Sequence, residues 1–130
     1  MAQLPIELIL VRQLASGLAV PVFVVDSAGD LLYLNEAAEG LLGLRFDELG
    51  DVAFAEWTTA FTPRTPDGRR TEASELPLVV ALRERRPVHG PLNIVGRDGV
   101  SRSIQVTAIP LVGTHSELLG GIALFWEQPE

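Results

Sequence analysis

The side chains able to do chemistry in this sequence are two histidines, scattered carboxylates and ten arginines; cysteine is absent. Without cysteine there is no disulfide, thiolate metal site, thiol nucleophile or thioether link to a chromophore. His89 and His115 lie far apart in sequence, and two isolated imidazoles do not make a metal site. His115 sits among Thr114, Ser116 and Glu117, a solvated turn. His89 opens a strand-like run, where a lone histidine is ordinarily an edge residue. The carboxylate clusters Asp47–Glu48 and Glu72 with Glu75 read as solvated helix ends. No phosphate-binding glycine loop, paired-histidine motif or nucleophile context occurs. The chain is therefore expected not to be an enzyme. What remains is non-covalent chemistry: an interior that could hold a small molecule and surfaces that could hold another protein.

Composition narrows the partners. A net charge of -7 disfavours nucleic acid, whose phosphates need a basic surface. All ten basic residues are arginine, a bias to which no function attaches. With 130 residues, 47% of them hydrophobic and 21% charged, the chain is one folded domain large enough for a core without staples. Its first 25 residues are apolar but interrupted by Pro5, Glu7, Arg12, Gln13 and Pro21. That is neither a signal peptide nor a membrane span, so no membrane partner and a cytoplasmic location are expected.

The elements that must position any site follow from periodicity. Leu4 to Ser16 reads as a helix stopped at Gly17. It carries two apolar rows, Ile6–Leu10–Leu14 and Leu4–Leu8–Val11, where one would suffice to pack it on its own domain. Val20 to Asp26 and Leu31 to Leu34 read as a hairpin about Ser27-Ala28-Gly29-Asp30. Asn35 is a good cap for a helix over Glu36 to Leu42, with Gly43 as its stop. Phe46–Leu49 and Ala53–Trp57 suggest short helical turns, and residues 62–68 a loop. Ser74 is placed to cap a helix from Glu75 to Arg85, with Pro77 tolerated in its first turn. Arg83, Arg85 and Arg86 suit its C-terminal end. Three strands close the chain: Val88–Val95, Ser101–Leu111 and Leu118–Glu127, the first two joined by an Asp98-Gly99 turn. In Ser101–Leu111, Ile104, Val106 and Ala108 alternate with polar residues. The last strand is apolar on both faces, so something must cover the outside of the sheet, and the N-terminal helix is the natural cover.

Five strands in two blocks with helices between them describe an α+β antiparallel sheet with helices on one face. In this order the segments resemble a PAS domain. PVFVVDSAGDLLYLNEAAEGLLG (residues 21–43) is similar to the opening hairpin and first helix of that fold. PDGRRTEASELPLVVALRERRPVHGPL (66–92) is similar to the loop, long helix and third strand of a common bacterial subtype. GRDGVSRSIQVTAIPL (96–111) and GGIALFWE (120–127) resemble the final strands. The resemblance covers residues 14–127 and implies residues 1–17 as an N-terminal cap or dimerisation helix and 18–130 as the PAS domain. Where larger proteins of the subtype carry an Asp-Ile-Thr-like signal into an effector, this chain ends Trp126-Glu127-Gln128-Pro129-Glu130, like a stand-alone sensor or adaptor.

The resemblance also frames the sites. Flavin-adduct members need a cysteine, and haem-binding members generally place a histidine on the long helix; neither is present, so no cofactor is expected. The family's cavity lies between the inner sheet face and the helices. By alternation Phe23, Ile104, Val106, Ile122 and Leu124 are expected to line it from the sheet. Leu41, Trp57, Phe61, Leu78 and Leu82 are expected from the helical side. A ligand there would be small and apolar; the alternative is a closed core serving a purely structural interaction module. The two-rowed helix predicts a homodimer through Leu4, Ile6, Leu8, Leu10, Val11 and Leu14, joined by Phe125 on the outer sheet face. Output would pass to a signalling partner such as a kinase, cyclase or phosphatase.

Overall fold

The structure, a computed structural model, describes residues 5–43, 52–54, 56–57, 63–96 and 99–128. Runs rich in β-branched and aromatic residues form strands: β1 (Val22–Asp26), β2 (Leu31–Leu34), β3 (Val88–Val95), β4 (Ser101–Val112) and β5 (Leu118–Glu127). They pair antiparallel in the order β2-β1-β5-β4-β3. The last strand is thus central and joins the N-terminal hairpin to the C-terminal one. Helices α1 (Ile6–Ser16), α2 (Glu36–Leu42) and α3 (Pro77–Glu84) pack on this sheet. The α+β architecture and the outer position of the N-terminal helix are as the sequence predicts.

The helices divide between the two faces. Leu8 and Ala15 of α1 pack on Val22 and Val24, with Val11, Ile122 and Leu124 around them. Inside, Ala38 and Leu42 of α2 and Leu78 and Ala81 of α3 share one core with Phe23, Val25, Ile104, Val106, Ala123 and Phe125. Two adjacent glycines of β5 let both layers approach. A Cβ on Gly120 would collide with the Val25 carbonyl and meet Leu8 Cδ2 at 3.0 Å; one on Gly121 would meet Leu82 and Leu78 at 2.9 and 3.0 Å.

Asn35 joins three elements. Wholly buried, it caps α2 by accepting the Ala38 N–H at 3.0 Å, and its Oδ1 also accepts the Val22 N–H at 2.9 Å. Its amide donates to the carbonyls of Ala15, Leu18 and Val20 at 3.0, 3.3 and 2.8 Å. One side chain thereby holds the end of α1, the start of β1 and the start of α2.

Three local expectations need correction. The helix expected from Glu75 begins instead at Pro77, because the residue before a proline is driven to extended backbone; Leu76 has ψ 137°. Residues Ala73–Glu75 form a separate 3₁₀ turn, capped by Glu72 rather than Ser74. Gly17 ends α1 as expected, at φ -97° and ψ 0°. The phase of β5 is opposite to that expected. Direct cross-strand partners share a face; Leu124 and Ile122 pair with Val22 and Val24 on the outside, while Ala123 pairs with Phe23 and Phe125 with Val106 on the inside.

Candidate functional site

Between the inner sheet face and the helices lies a cavity of about 90 Å³. β1 contributes Phe23, β4 Ile104 and Val106, and β5 Ala123 and Phe125. The helical side contributes Leu42, Trp57, Leu76, Pro77 and Leu78, and the β3 edge adds Leu92 and Ile94 beside Pro63. Every one of these side chains is apolar. Among the described residues no acid, base or nucleophile lines the space, and these walls can hold a molecule by exclusion of water.

Trp57 is fixed from the opening hairpin. Gly29, at φ 89°, turns its carbonyl toward the indole, and Trp57 Nε1 donates to it at 2.6 Å. Phe23 and Phe54 meet the indole edge-on at 4.9 and 5.7 Å between centroids. Phe54 is itself held by its N–H to Asp30 Oδ1 at 2.8 Å. The turn that closes β1 and β2 is therefore also the anchor of one cavity wall.

Of the residues expected to line the cavity, Phe23, Trp57, Leu78, Ile104 and Val106 are brought together there. Leu41 and Leu82 pack against the same core without lining the cavity. Ile122 and Leu124 lie on the opposite face under α1, a consequence of the β5 phase. Phe61 falls outside the described residues. Leu42, Leu76, Pro77, Ala123 and Phe125 were not expected; Leu92 and Ile94 carry a readable signal, since they alternate along β3, but Pro91 immediately before them blurs it.

A second recess, of about 230 Å³, adjoins the β3 edge. Thr65, Thr71, Glu75, Pro77, His89 and Leu92 are among its walls. The Glu72–Glu75 cluster here is structural. Arg69 forks onto Glu75 at 3.2 and 2.9 Å, and the Glu72 N–H donates to it at 3.1 Å. These donors, the arginine first, hold the Glu75 pKa at about 2. His89 accepts or donates through Nδ1 to Thr107 Oγ1 at 2.9 Å and stacks on Trp126 at 6.0 Å. His115 lies in the exposed β4–β5 turn. No group of three potential metal-ligating side chains occurs among the described residues.

The third surface is α1. Its rows split: Leu8 and Val11 turn to the sheet, while Ile6, Leu10 and Leu14 stand 67%, 57% and 64% exposed. Ile9 is exposed beside them. Arg12 lies over the Tyr33 ring at 5.7 Å, so it is engaged on its own domain. Of the other residues expected at a dimer interface, Leu4 is outside the described residues and Phe125 is an inner core residue, not an outer one. No helix among the described residues is long and apolar enough to cross a membrane.

Residues 16–128 match the family model described as PAS fold. The chain belongs to the PAS-fold family. Solved PAS domains agree in architecture: that of BvgS from Bordetella pertussis, at TM-score 0.62 and 23% identity over 95% of this chain and 87% of that one; one from Colwellia psychrerythraea, at 0.68 and 16% over 94% and 97%; and that of the fruit-fly ELK potassium channel, at 0.72 and 10% over 92% and 95%. No curated protein matches the chain. The PAS domain is a sensory and signalling module, a typically non-catalytic one.

Proposed function

We propose that this PAS domain homodimerises through the outer row of α1 and relays the state of its apolar cavity to a partner signalling protein in the cytoplasm. The observation that carries the reading is the split of α1. One row is buried on the domain's own sheet and the other, Ile6–Leu10–Leu14, is left in water. Three apolar side chains at four-residue spacing make a seam roughly 12 Å long, the width of contact two helices share. A second copy is the occupant we favour. A chain of net charge -7 repels itself elsewhere, and this row presents no charge of its own.

Light scattering on the full chain tests the reading. Wild type should run as a dimer, and Leu10→Glu with Leu14→Glu as a folded monomer, because two carboxylates cannot be buried unpaired in the seam. A wild-type protein that stays monomeric at high concentration refutes it.

The cavity supports a small apolar ligand as input. Its volume supports the second reading, a closed interaction module without ligand. At about 90 Å³ it is smaller than the roughly 150 Å³ apolar cavity that accepts benzene. Native mass spectrometry of the purified chain separates the two: a retained organic molecule supports the sensor.

A further inference from the structure

The apolar cavity does not end cleanly at the β3 edge. Pro77 and Leu92 line both it and the side recess, so two side chains form the partition between an apolar space and a partly polar one. Thr71 stands at this junction. Its N–H donates at 2.9 Å to the carbonyl of Pro63, which lines the cavity, while Thr71 itself lines the recess. The residue is only 7% exposed, and its hydroxyl has no hydrogen-bond partner. Among the described residues it is the one buried side-chain polar group left in that condition. A buried hydroxyl without a partner is costly, and a threonine hydroxyl can both donate and accept.

We propose that cavity and recess form one two-part site for a small neutral alcohol or phenol, its hydrocarbon part in the apolar cavity and its oxygen paired with the Thr71 hydroxyl. Displacement of Leu92, which is half-buried, would join the two spaces into roughly 300 Å³, the lower end of the small-molecule range. Neutrality follows from the walls. An anionic head would find the Arg69 guanidinium already paired with Glu75. An ammonium would find no unpaired carboxylate, since Glu75 is already taken by Arg69. The inference rests on the ligand-binding part of the function proposed above and adds the class of molecule and the residue that selects it.

Phenol and toluene, nearly equal in shape, are the probes, titrated into the full chain and followed by NMR. Thr71→Val removes the hydroxyl and keeps the volume; Thr71→Ser keeps the hydroxyl. Wild type should bind both probes, Thr71→Val should lose roughly tenfold in phenol affinity with toluene unchanged, and Thr71→Ser should retain phenol. If both probes bind and Thr71→Val alters neither, or weakens both alike, the role of Thr71 is overturned while a ligand-binding cavity stands. If neither probe binds wild type, the two-part site and the ligand-binding reading fall together.

Discussion

Replacing Asn35 by alanine should be the most damaging single truncation outside the hydrophobic core. The substitution removes the cap of α2, worth about 1 kcal/mol. It strands the Val22 N–H, in a residue with no exposure, at about 1–3 kcal/mol. The three carbonyls lose less, because the Ala15 carbonyl keeps the Leu18 N–H at 3.1 Å; with the small void left behind they bring the total to about 3–5 kcal/mol. Against a typical stability of about 5–15 kcal/mol that is a large fraction. Urea unfolding followed by the fluorescence of buried Trp57 should show the midpoint falling by about 2 M at unchanged slope. Hydrogen exchange should show the amides of α1 opening first. Asn35→Asp sharpens the test. It keeps the acceptor for Val22 and Ala38 but sets a carboxylate against three carbonyls, which raises its folded-state pKa. The charged form is then penalised above the unfolded value of about 3.9, so the deficit relative to wild type should be full at neutral pH and shrink as pH falls toward that value. An Asn35→Ala protein within about 1 kcal/mol of wild type, a small mutational effect, would refute the view that this side chain holds the three elements together.

Two further outcomes follow from the same geometry. Gly120→Ala places a methyl group against the Val25 carbonyl and Leu8, and should cost about 1–3 kcal/mol as overpacking, with protection lost in α1 more than in α3; equal loss in both helices would count against it. Glu75→Gln should flatten the acid limb of the stability profile. Glu75 has its pKa lowered from 4.5 to about 2, so its contribution is complete above pH 4.5 and disappears as pH falls toward 2. The pair with Arg69 is exposed, so the difference in melting temperature between wild type and variant should be small, should close across that window and should weaken with added salt; a difference independent of pH would sink the assignment.

The parts of this fold that were legible are those in which one physical rule acts alone. Asn35 and Gly43 bracket α2 because capping chemistry is local, and the polar alternation of β4 declares its inner face. Where two rules compete, sequence is silent. β5 is apolar on both faces, so period-2 reasoning cannot choose between Ile122–Leu124 and Ala123–Phe125. Its phase is set by pairing with β1 and β4, and by the register shift between Leu111 and Val112, which moves a strand by one residue and exchanges its faces. The start of α3 depended on the restriction proline places on Leu76, which outweighed the capping preference of Ser74. Thr71 has no sequence signal at all. A threonine in a polar loop is ordinary until the fold buries its hydroxyl without a partner.

The ambiguity of β5 is also what makes it useful. A strand apolar on both faces at the centre of a sheet is packed on both sides, and here the two sides serve different surfaces. Ala123 and Phe125 wall the cavity, while Ile122 and Leu124 lie under α1. β1 repeats the arrangement, with Phe23 inward and Val22 and Val24 outward. Gly120 and Gly121, one residue apart, bring Leu8 of α1 and Leu78 of α3 to within contact of the same stretch of backbone. Close-packed interiors transmit displacement instead of absorbing it. A shift of β1 and β5 on the cavity side must therefore be felt by α1, and Asn35 ties the end of that helix to α2, whose Leu42 faces the cavity as well. In the proposed relay the route from cavity to exposed helix is one strand thick, and it runs through the strands whose faces the sequence leaves undecided.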